Sequence, residues 1–438
     1  MRQKRADDPA YINHMSGSSM LLQRDLELAE RRPPRHAPVE ARRVTTHFQP
    51  IFSVRRRSVV GLEALSRGVG PTGNLIPPTT LFKLAAAERI AGPIEDLCRE
   101  SAVRSFHRLR ARPDDLLLFL NLDLTSTSKP SALSAQLEAL IRGAGLDPRN
   151  VGVEFLESRL DDVHRFGELA TALHARGFLV ALDDVGAGHS NLDRIPLFRP
   201  DVIKIDRSLV TGVDADFYKQ ETFKSLVNLS RRIGALVVAE GIETEAEAVT
   251  ALELGADLLQ GFFLGRPSAA ATFDRGGFER AAGCVEPLAR AFKGHMVGQI
   301  NARKVEYRRF NQILSRILIE LADATAGQFD GVLARQLGAD PKIDCLYVLD
   351  DAGVQVTDTI TRAGLAERPG AMFRPAPRGT DHSLKEYFYV LMDVELPRYT
   401  TDPYVSLASG QLCRTISTCF RDAANNERVF VLCVDVSA

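Results

Sequence analysis

No excess of charge, no long hydrophobic run and no clustered cysteines or histidines mark this chain, and each lack removes a class of function. With 55 Lys and Arg against 56 Asp and Glu, the net charge of the 438 residues is −1. So even a balance gives no electrostatic reason to expect a nucleic acid polymer or an acidic membrane as partner. No uninterrupted apolar stretch approaches the ~20 residues that span a bilayer, and no apolar segment follows the N-terminal charges as a secretory signal requires. The expected location is the cytoplasm. Cys98, Cys284, Cys345, Cys413, Cys419 and Cys433 stand singly within apolar runs, without CxxC or paired-histidine spacing. Small buried hydrophobes in a reducing compartment fit them better than zinc ligands or disulfides. Hydrophobic residues at 45% and charged residues at 25% are those of an ordinary globular protein. The length accommodates a barrel of about 250 residues and something smaller.

What the chain does have is a series of strand-like apolar runs, each ending on a residue that binds metal or moves protons. They finish at Glu63 in GLEALSR, Asn121 in LLLFLNLD, Glu154 in VGVEFLE, Asp183 and Asp184 in FLVALDD, Lys204 in DVIKID, Glu240 in ALVVAE and Gln260 in ADLLQG. Polar residues at the C-terminal ends of many strands are the pattern of a (β/α)8 barrel, whose functional residues collect on that face. Hard oxygen ligands dominate, which points to Mg²⁺ or Mn²⁺ and to chemistry on phosphate. Taken singly, each residue has a plainer reading: the Asp pair as a helix cap, Lys204 with Asp206 as a rim ion pair, Asn121 as a turn residue. Seven such endings on one barrel face favour a site over coincidence.

Residues 1–43, rich in Arg, Pro, Ser and Asp, read as a flexible leader. From His47 to about Pro267, strands alternate with helical runs that close on glycines such as Gly143, Gly145 and Gly177, the rhythm of parallel βα units. Thr79 or Thr80 is positioned to cap the first helix. The opening run THFQPIFSV brings the strand count to eight. Its short RRRS link to the next strand fits a hairpin, so the first strand is expected to run antiparallel. The barrel is assigned to 44–275 and a connecting helical segment to 276–325. Within that segment Met296, Ile300, Tyr307, Phe310, Leu314, Ile317 and Leu321 form a heptad-like seam, interrupted by Arg303. The seam either pairs two chains or packs on its own C-terminal domain. The last part, 326–438, reads as a small α+β domain, with strands in CLYVLDDAGVQVTDTI, KEYFYVLMDV, YVSLASGQLCRTISTCF and RVFVLCVDV.

The series E-A-L (63–65), N-L-D, E-F-L-E, D-D-V-G-A-G-H-S (183–190), K-I-D, A-E-G-I-E and Q-G-F resembles the EAL-domain family, bacterial phosphodiesterases that hydrolyse cyclic di-GMP to linear pGpG. The resemblance implies two divalent ions. Glu63, Asn121, Glu154 and Asp183 would hold one, and Asp183 would bridge to a second also held by Asp184. It gives Glu240, Lys204 and Gln260 catalytic roles around the attacking water. Gln49, Arg67 and Asp206 become contacts to the substrate, and Glu157 the anchor of the loop after Asp184. That loop departs from the family pattern at Val185, Ala187 and His189. A homodimer is expected. The C-terminal segment resembles the PAS/Cache-like domains attached to some EAL proteins and implies regulation by an unidentified small-molecule effector. Tyr387, Tyr389, Tyr404, Ser406 and Arg414 either line its pocket or are ordinary strand residues. A barrel that binds cyclic di-GMP without cleaving it is the alternative, against which stands the full set of acids.

Overall fold

The computed structural model describes residues 44–109, 112–122, 129–156, 163–187, 194–273, 276–338, 340–362, 374–406, 409–423 and 428–437. The expected leader, Glu157, Gly188 and His189 lie outside them. The chain divides into two compact units, Met1–Met296 and Val297–Ala438. Among the described residues no helix is long and apolar enough to cross a membrane.

In the first unit eight strands close a barrel: β1 (Val44–Ser53), β2 (Ser58–Val69), β3 (Leu117–Asn121), β4 (Val151–Leu156), β5 (Leu179–Val185), β6 (Val202–Ile205), β7 (Leu236–Ala239) and β8 (Leu258–Leu259). From β2 to β8 every neighbouring pair is parallel. The exception is β1, antiparallel to both β2 and β8, because a four-residue turn after Ser53 leaves no length for a crossover helix. The unusual opening strand anticipated from the RRRS link is therefore present.

Helices α1 (Pro78–Ala87), α2 (Ala91–His107), α3 (Pro130–Gly143), α4 (Val163–His174), α5 (Phe217–Ile233) and α6 (Glu245–Leu254) occupy the places where helical periodicity occurs. Gly234 (φ 80°) and Gly255 (φ 106°) end α5 and α6 in the left-handed region. Thr244 starts α6 with a capping box, accepting from Glu247 N while the Glu247 carboxylate accepts from Thr244 N. The expectation for α1 is corrected. Its N-cap is Pro77 and Pro78 opens the helix, so Thr79 and Thr80 lie inside the first turn and cap nothing. Apolar faces of helices and strands merge into one core between barrel wall and helical shell.

α7 (Val285–Ala322) is a 38-residue helix that runs from the first unit into the second. Its seam splits in two. Leu314, Ile317 and Leu321 are buried in the core of the second unit and Phe310 packs against it, whereas Ile300 and Tyr307 are exposed. The C-terminal half thus packs on its own domain.

The second unit holds an antiparallel sheet of β9 (Ile343–Leu349), β10 (Ile360–Thr361), β11 (Tyr399–Thr400), β12 (Tyr404–Val405), β13 (Leu412–Arg421) and β14 (Val429–Ser437), ordered β10-β9-β14-β13-β11 with β12 also on β13. One face packs Leu346, Ile416, Phe430 and Leu432 against α7 and α8 (Phe329–Leu337). The other packs Tyr347, Val431 and Cys433 against α9 (Glu386–Asp393). The α+β expectation holds, but KEYFYVLMDV is corrected from strand to helix. Its Tyr, Phe and Val suit a strand, yet Phe388 and Leu391, three apart, give a helix one buried stripe, and packing overrides propensity. All six cysteines are free.

Candidate active site

The period of two along a strand builds the site. Ile51, Phe119, Ala181, Val202, Val238 and Leu258 cluster inside the barrel and form its floor. Two residues further along the parallel strands, on the same interior side, come Asn121, Asp183, Lys204, Glu240 and Gln260. Glu63 and Glu154 follow Gly61 and Gly152 in the same way. On antiparallel β1 the order inverts, so Gln49 precedes Ile51. The floor depends on the glycines: a Cβ at Gly61 or Gly152 would stand 2.9 or 2.7 Å from the Phe119 ring. Phe119 fills the barrel because its two neighbouring strands offer no side chain there.

At the centre is Lys204, 1% exposed. Its Nζ lies 2.7 Å from Glu154 Oε1 and from Glu240 Oε1, 3.2 Å from Asp183 Oδ1 and 3.3 Å from Glu63 Oε2. Gln260 Nε2 donates to Glu63 Oε2 at 2.6 Å and Asn121 Nδ2 to Glu63 Oε1 at 3.3 Å. Burial works to raise the Glu63 carboxyl, but Lys204 and these two amides outweigh it and hold it below its ordinary value. At Glu154, Asp183 and Glu240 burial wins, with neighbouring carboxylates adding to it, and each carboxyl is pushed up despite Lys204. Burial alone would lower Lys204, yet the four surrounding acids drive its ammonium well above the ordinary range.

Asp183 and Asp184 are adjacent, so in a regular strand they would face opposite ways. The β5–β6 register shifts between Leu182 and Val185, and Asp184 adopts φ 57°. This irregularity turns both carboxylates toward the interior, at a backbone cost on the order of 1 kcal/mol for a non-glycine residue. Oxygens of Asp183, Asp184 and Glu240 come within 4.8 Å of one another, close enough to share a cation. Burial, with Asp183 and Asp206 nearby, pushes the Asp184 carboxyl up to about 6.

This donor set fits divalent cations. Counted in their ionised forms, five carboxylates against one ammonium leave four negative charges, the charge that two divalent ions carry. Both oxygens of Glu154, Asp183 Oδ1 and Gln260 Oε1 are buried without a hydrogen-bond donor, although Lys204 stands at ion-pair distance from Glu154 Oε1 and Asp183 Oδ1. Native interiors rarely leave so many acceptors unmet unless an ion or water completes them.

The other residues singled out in the sequence are placed less uniformly. Gln49 lines the cleft and donates to Gly265 O. Arg67 donates to the neighbouring Ser66 O, makes no ion pair within 4 Å among the described residues and does not line the cleft. Asp206 caps the turn that follows β6, accepting from Ser208 N at 2.8 Å. The cleft residues not anticipated include Arg207, its partner Glu243 at 3.1 Å, and Phe262, an exposed ring with the Arg266 guanidinium 4.3 Å from its centroid. Arg207 follows Asp206 directly, and Glu243 and Phe262 lie three and two residues after Glu240 and Gln260, inside the motifs AEGIE and QGF. The cleft is about 280 Å³.

Comparison with known proteins agrees with this geometry. The profile of the EAL domain matches residues 33–267. The signaling protein YkoW of Bacillus subtilis is 27% identical over 230 residues, 52% of this chain and 29% of that protein. Cyclic di-GMP phosphodiesterase NbdA of Pseudomonas aeruginosa is 28% identical over 223 residues, 50% of this chain and 28% of its own length. The match thus spans less than a third of either relative. The crystal structure of the Bacillus subtilis YkuI protein, with an EAL domain and in complex with substrate c-di-GMP and calcium, covers 91% of this chain and 98% of its own at a TM-score of 0.73. At 22% identity that likeness bears on the fold alone. With an interior ring of acids about a buried lysine and a family match over more than half its length, the chain belongs to the EAL-domain family.

Proposed function

We propose that the protein hydrolyses cyclic di-GMP to linear pGpG at the mouth of the barrel, using two divalent ions, Mg²⁺ or Mn²⁺. The observation that carries the reading is the charge of the site: five converging carboxylates against one buried lysine. Glu63, Asn121, Glu154 and Asp183 would hold one ion, and Asp183 with Asp184 the other. Bound there, the ions would supply Lewis acidity toward phosphate and acidify water. Glu240 orients the attacking water. Water adds its oxygen to phosphorus, the bond from phosphorus to the ribose 3′ oxygen breaks, and the proton released by water balances the one gained by that oxygen. Lys204 neutralises charge as it builds on the phosphate, and the Gln260 amide holds Glu63 ionised. Gln49 would face the phosphates, Arg67 would have to turn from Ser66 O to reach them, Asp206 would meet the guanine edge, and the exposed Phe262 ring offers a stacking surface for a base. Glu157 would anchor the loop after Asp184. In this reading the protein acts in the cytoplasm as a homodimer, and the second unit regulates the first.

The test is incubation of the purified chain with cyclic di-GMP and Mg²⁺ or Mn²⁺, with separation of the nucleotides. Appearance of pGpG, abolished by chelation, is expected. Tight binding without pGpG would replace the enzyme with a receptor.

A further inference from the structure

In the second unit the sheet face opposite α7 carries a carboxylate with no ion-pair partner among the described residues. Asp435, on β14, is 7% exposed and lines a cavity of about 500 Å³ together with Tyr347, Tyr387, His382 and Tyr404. Thr415 Oγ1 donates to Asp435 Oδ1 at 2.7 Å and is itself 2.7 Å from the Tyr404 hydroxyl, which must therefore donate to Thr415. Asp435 thus accepts at the end of a hydroxyl relay, yet among the described residues no Lys, Arg or His lies within 4 Å of it. The charged group closest in effect is another acid, Asp344. Burial, with Asp344 adding to it, pushes the Asp435 carboxyl up to about 6, so at neutral pH it is largely an uncompensated anion.

The aromatic lining is neutral as well. The rings of Tyr347, His382 and Tyr387 lie 5.5 to 6.3 Å apart, centre to centre. The Gln355 amide nitrogen donates to Thr357 O, Thr359 Oγ1 and Ala376 O, which turns its oxygen toward His382. Nε2 of His382 must then carry the proton and Nδ1 accept from the Tyr387 hydroxyl at 2.7 Å. Burial lowers the His382 pKa and raises those of Tyr347 and Tyr387, so none of the three rings is charged. Exposed Lys385 and Arg374 also line the cavity, offset by Glu386 and Asp402.

We propose that this cavity binds a small organic ammonium ion, its charge set against Asp435 and its carbon substituents against the rings of Tyr347 and Tyr387. A neutral aromatic wall beside an unpaired buried carboxylate attracts a cation twice over, through the ring quadrupoles and by direct charge. The volume suits a ligand of a few to a dozen heavy atoms. Three residues singled out as lining a pocket or merely completing strands, Tyr387, Tyr404 and Ser406, belong to this cavity; Tyr389 and Arg414 do not.

The test uses the full chain and isothermal titration calorimetry with three probes: choline, propylammonium and putrescine. The neutral carbon isostere of choline, 3,3-dimethylbutan-1-ol, is the control. At least one cation should bind saturably with Kd between about 10 µM and 1 mM, while the neutral isostere does not. Asp435→Asn should weaken that binding by about tenfold or more with the circular dichroism spectrum unchanged. Tyr347→Leu, which keeps the carboxylate and removes a ring face, should weaken it less. No saturable binding by any cation, equal binding of the neutral isostere, or full affinity in a folded Asp435→Asn variant would each overturn the proposal.

Discussion

The barrel and the C-terminal sheet both bury acids, and they treat them oppositely. In the barrel four carboxylates share the ammonium of Lys204, a cation supplied by the chain itself. In the sheet Asp435 has a hydroxyl relay and aromatic neighbours but, among the described residues, no cation within 4 Å. A buried anion must be neutralised, paired or left destabilising. The difference teaches that the barrel acids are gathered around a cation of the chain before any ion arrives, with charge left over for ions, whereas the sheet acid has no such organising cation among the described residues.

The comparison can be broken most forcefully at the barrel. If its acids are ligands for two ions, Glu63→Ala or Asp183→Ala lowers turnover of cyclic di-GMP by about 10³-fold or more, measured as pGpG formed under saturating Mn²⁺. Near-normal rates in either variant would mean that the acids serve the fold. Next comes the lysine. Lys204→Met strands its carboxylates and costs the first unit about 3–5 kcal/mol in urea unfolding. Added Mn²⁺ should return more stability to that variant than to the parent protein, since it then has more uncompensated charge to answer.

Asp435 should show the reverse behaviour. Its carboxyl is raised to about 6 in the folded chain, from about 3.9 when unfolded, so the folded state holds the extra proton between those values. The contribution of this carboxyl to stability is then fully present below about pH 4, falls by about 3 kcal/mol as pH rises through 6, and is level above about pH 7. Asp435→Asn removes this contribution and is the more stable form at neutral pH, against a background common to both forms from Asp184, also raised to about 6, and from His382, whose lowered pKa gives a slope of the opposite sign. Asp344, also raised by burial, leaves a residual slope of the same sign, while the nearby thiols and phenols of Cys345, Cys413, Tyr347 and Tyr404, all raised, stay neutral in this range. Chemical denaturation from pH 4 to 7 would show it; identical slopes in the two forms would contradict it. The smallest effect is expected beneath the barrel acids. Gly152→Ala places a methyl against Phe119 and costs about 1–3 kcal/mol by thermal melting, with a further loss of turnover if the floor positions the ligands.

The barrel was legible because two strong signals coincide in it. Apolar runs mark strands buried on both faces, and the polar residue closing each run is what a barrel mouth requires. Glu63, Glu154, Asp183, Lys204, Glu240 and Gln260 could therefore be placed together at the barrel mouth by position as well as by type. Sequence alternation does not announce an irregularity in the ladder, so the left-handed Asp184 that turns two neighbouring acids inward stayed hidden until the backbone was seen. Phe262 and Arg207 stayed hidden because a rim residue obeys no period. In the second unit α9 was misread for a different reason: Tyr387, Phe388 and Tyr389 suit either structure, and only their packing on the sheet decides.

The antiparallel first strand has a consequence for how the barrel comes apart. β1 is tied to β2 by ten paired positions from Val44 to Ser53, but on its other edge only by the pair Phe52 and Leu259 on β8 and by His47 and Phe48 against Ala269 and Ser268, all more than two hundred residues away in sequence. Joining such distant segments is entropically slow, so this seam is expected to close late in folding and to be the first wall of the barrel to breathe. Gln49 and Gln260 stand on its two sides. Fraying there would release the amide that holds Glu63 ionised while the rest of the barrel stayed folded, making the seam a place where hydrogen exchange and loss of activity should begin together.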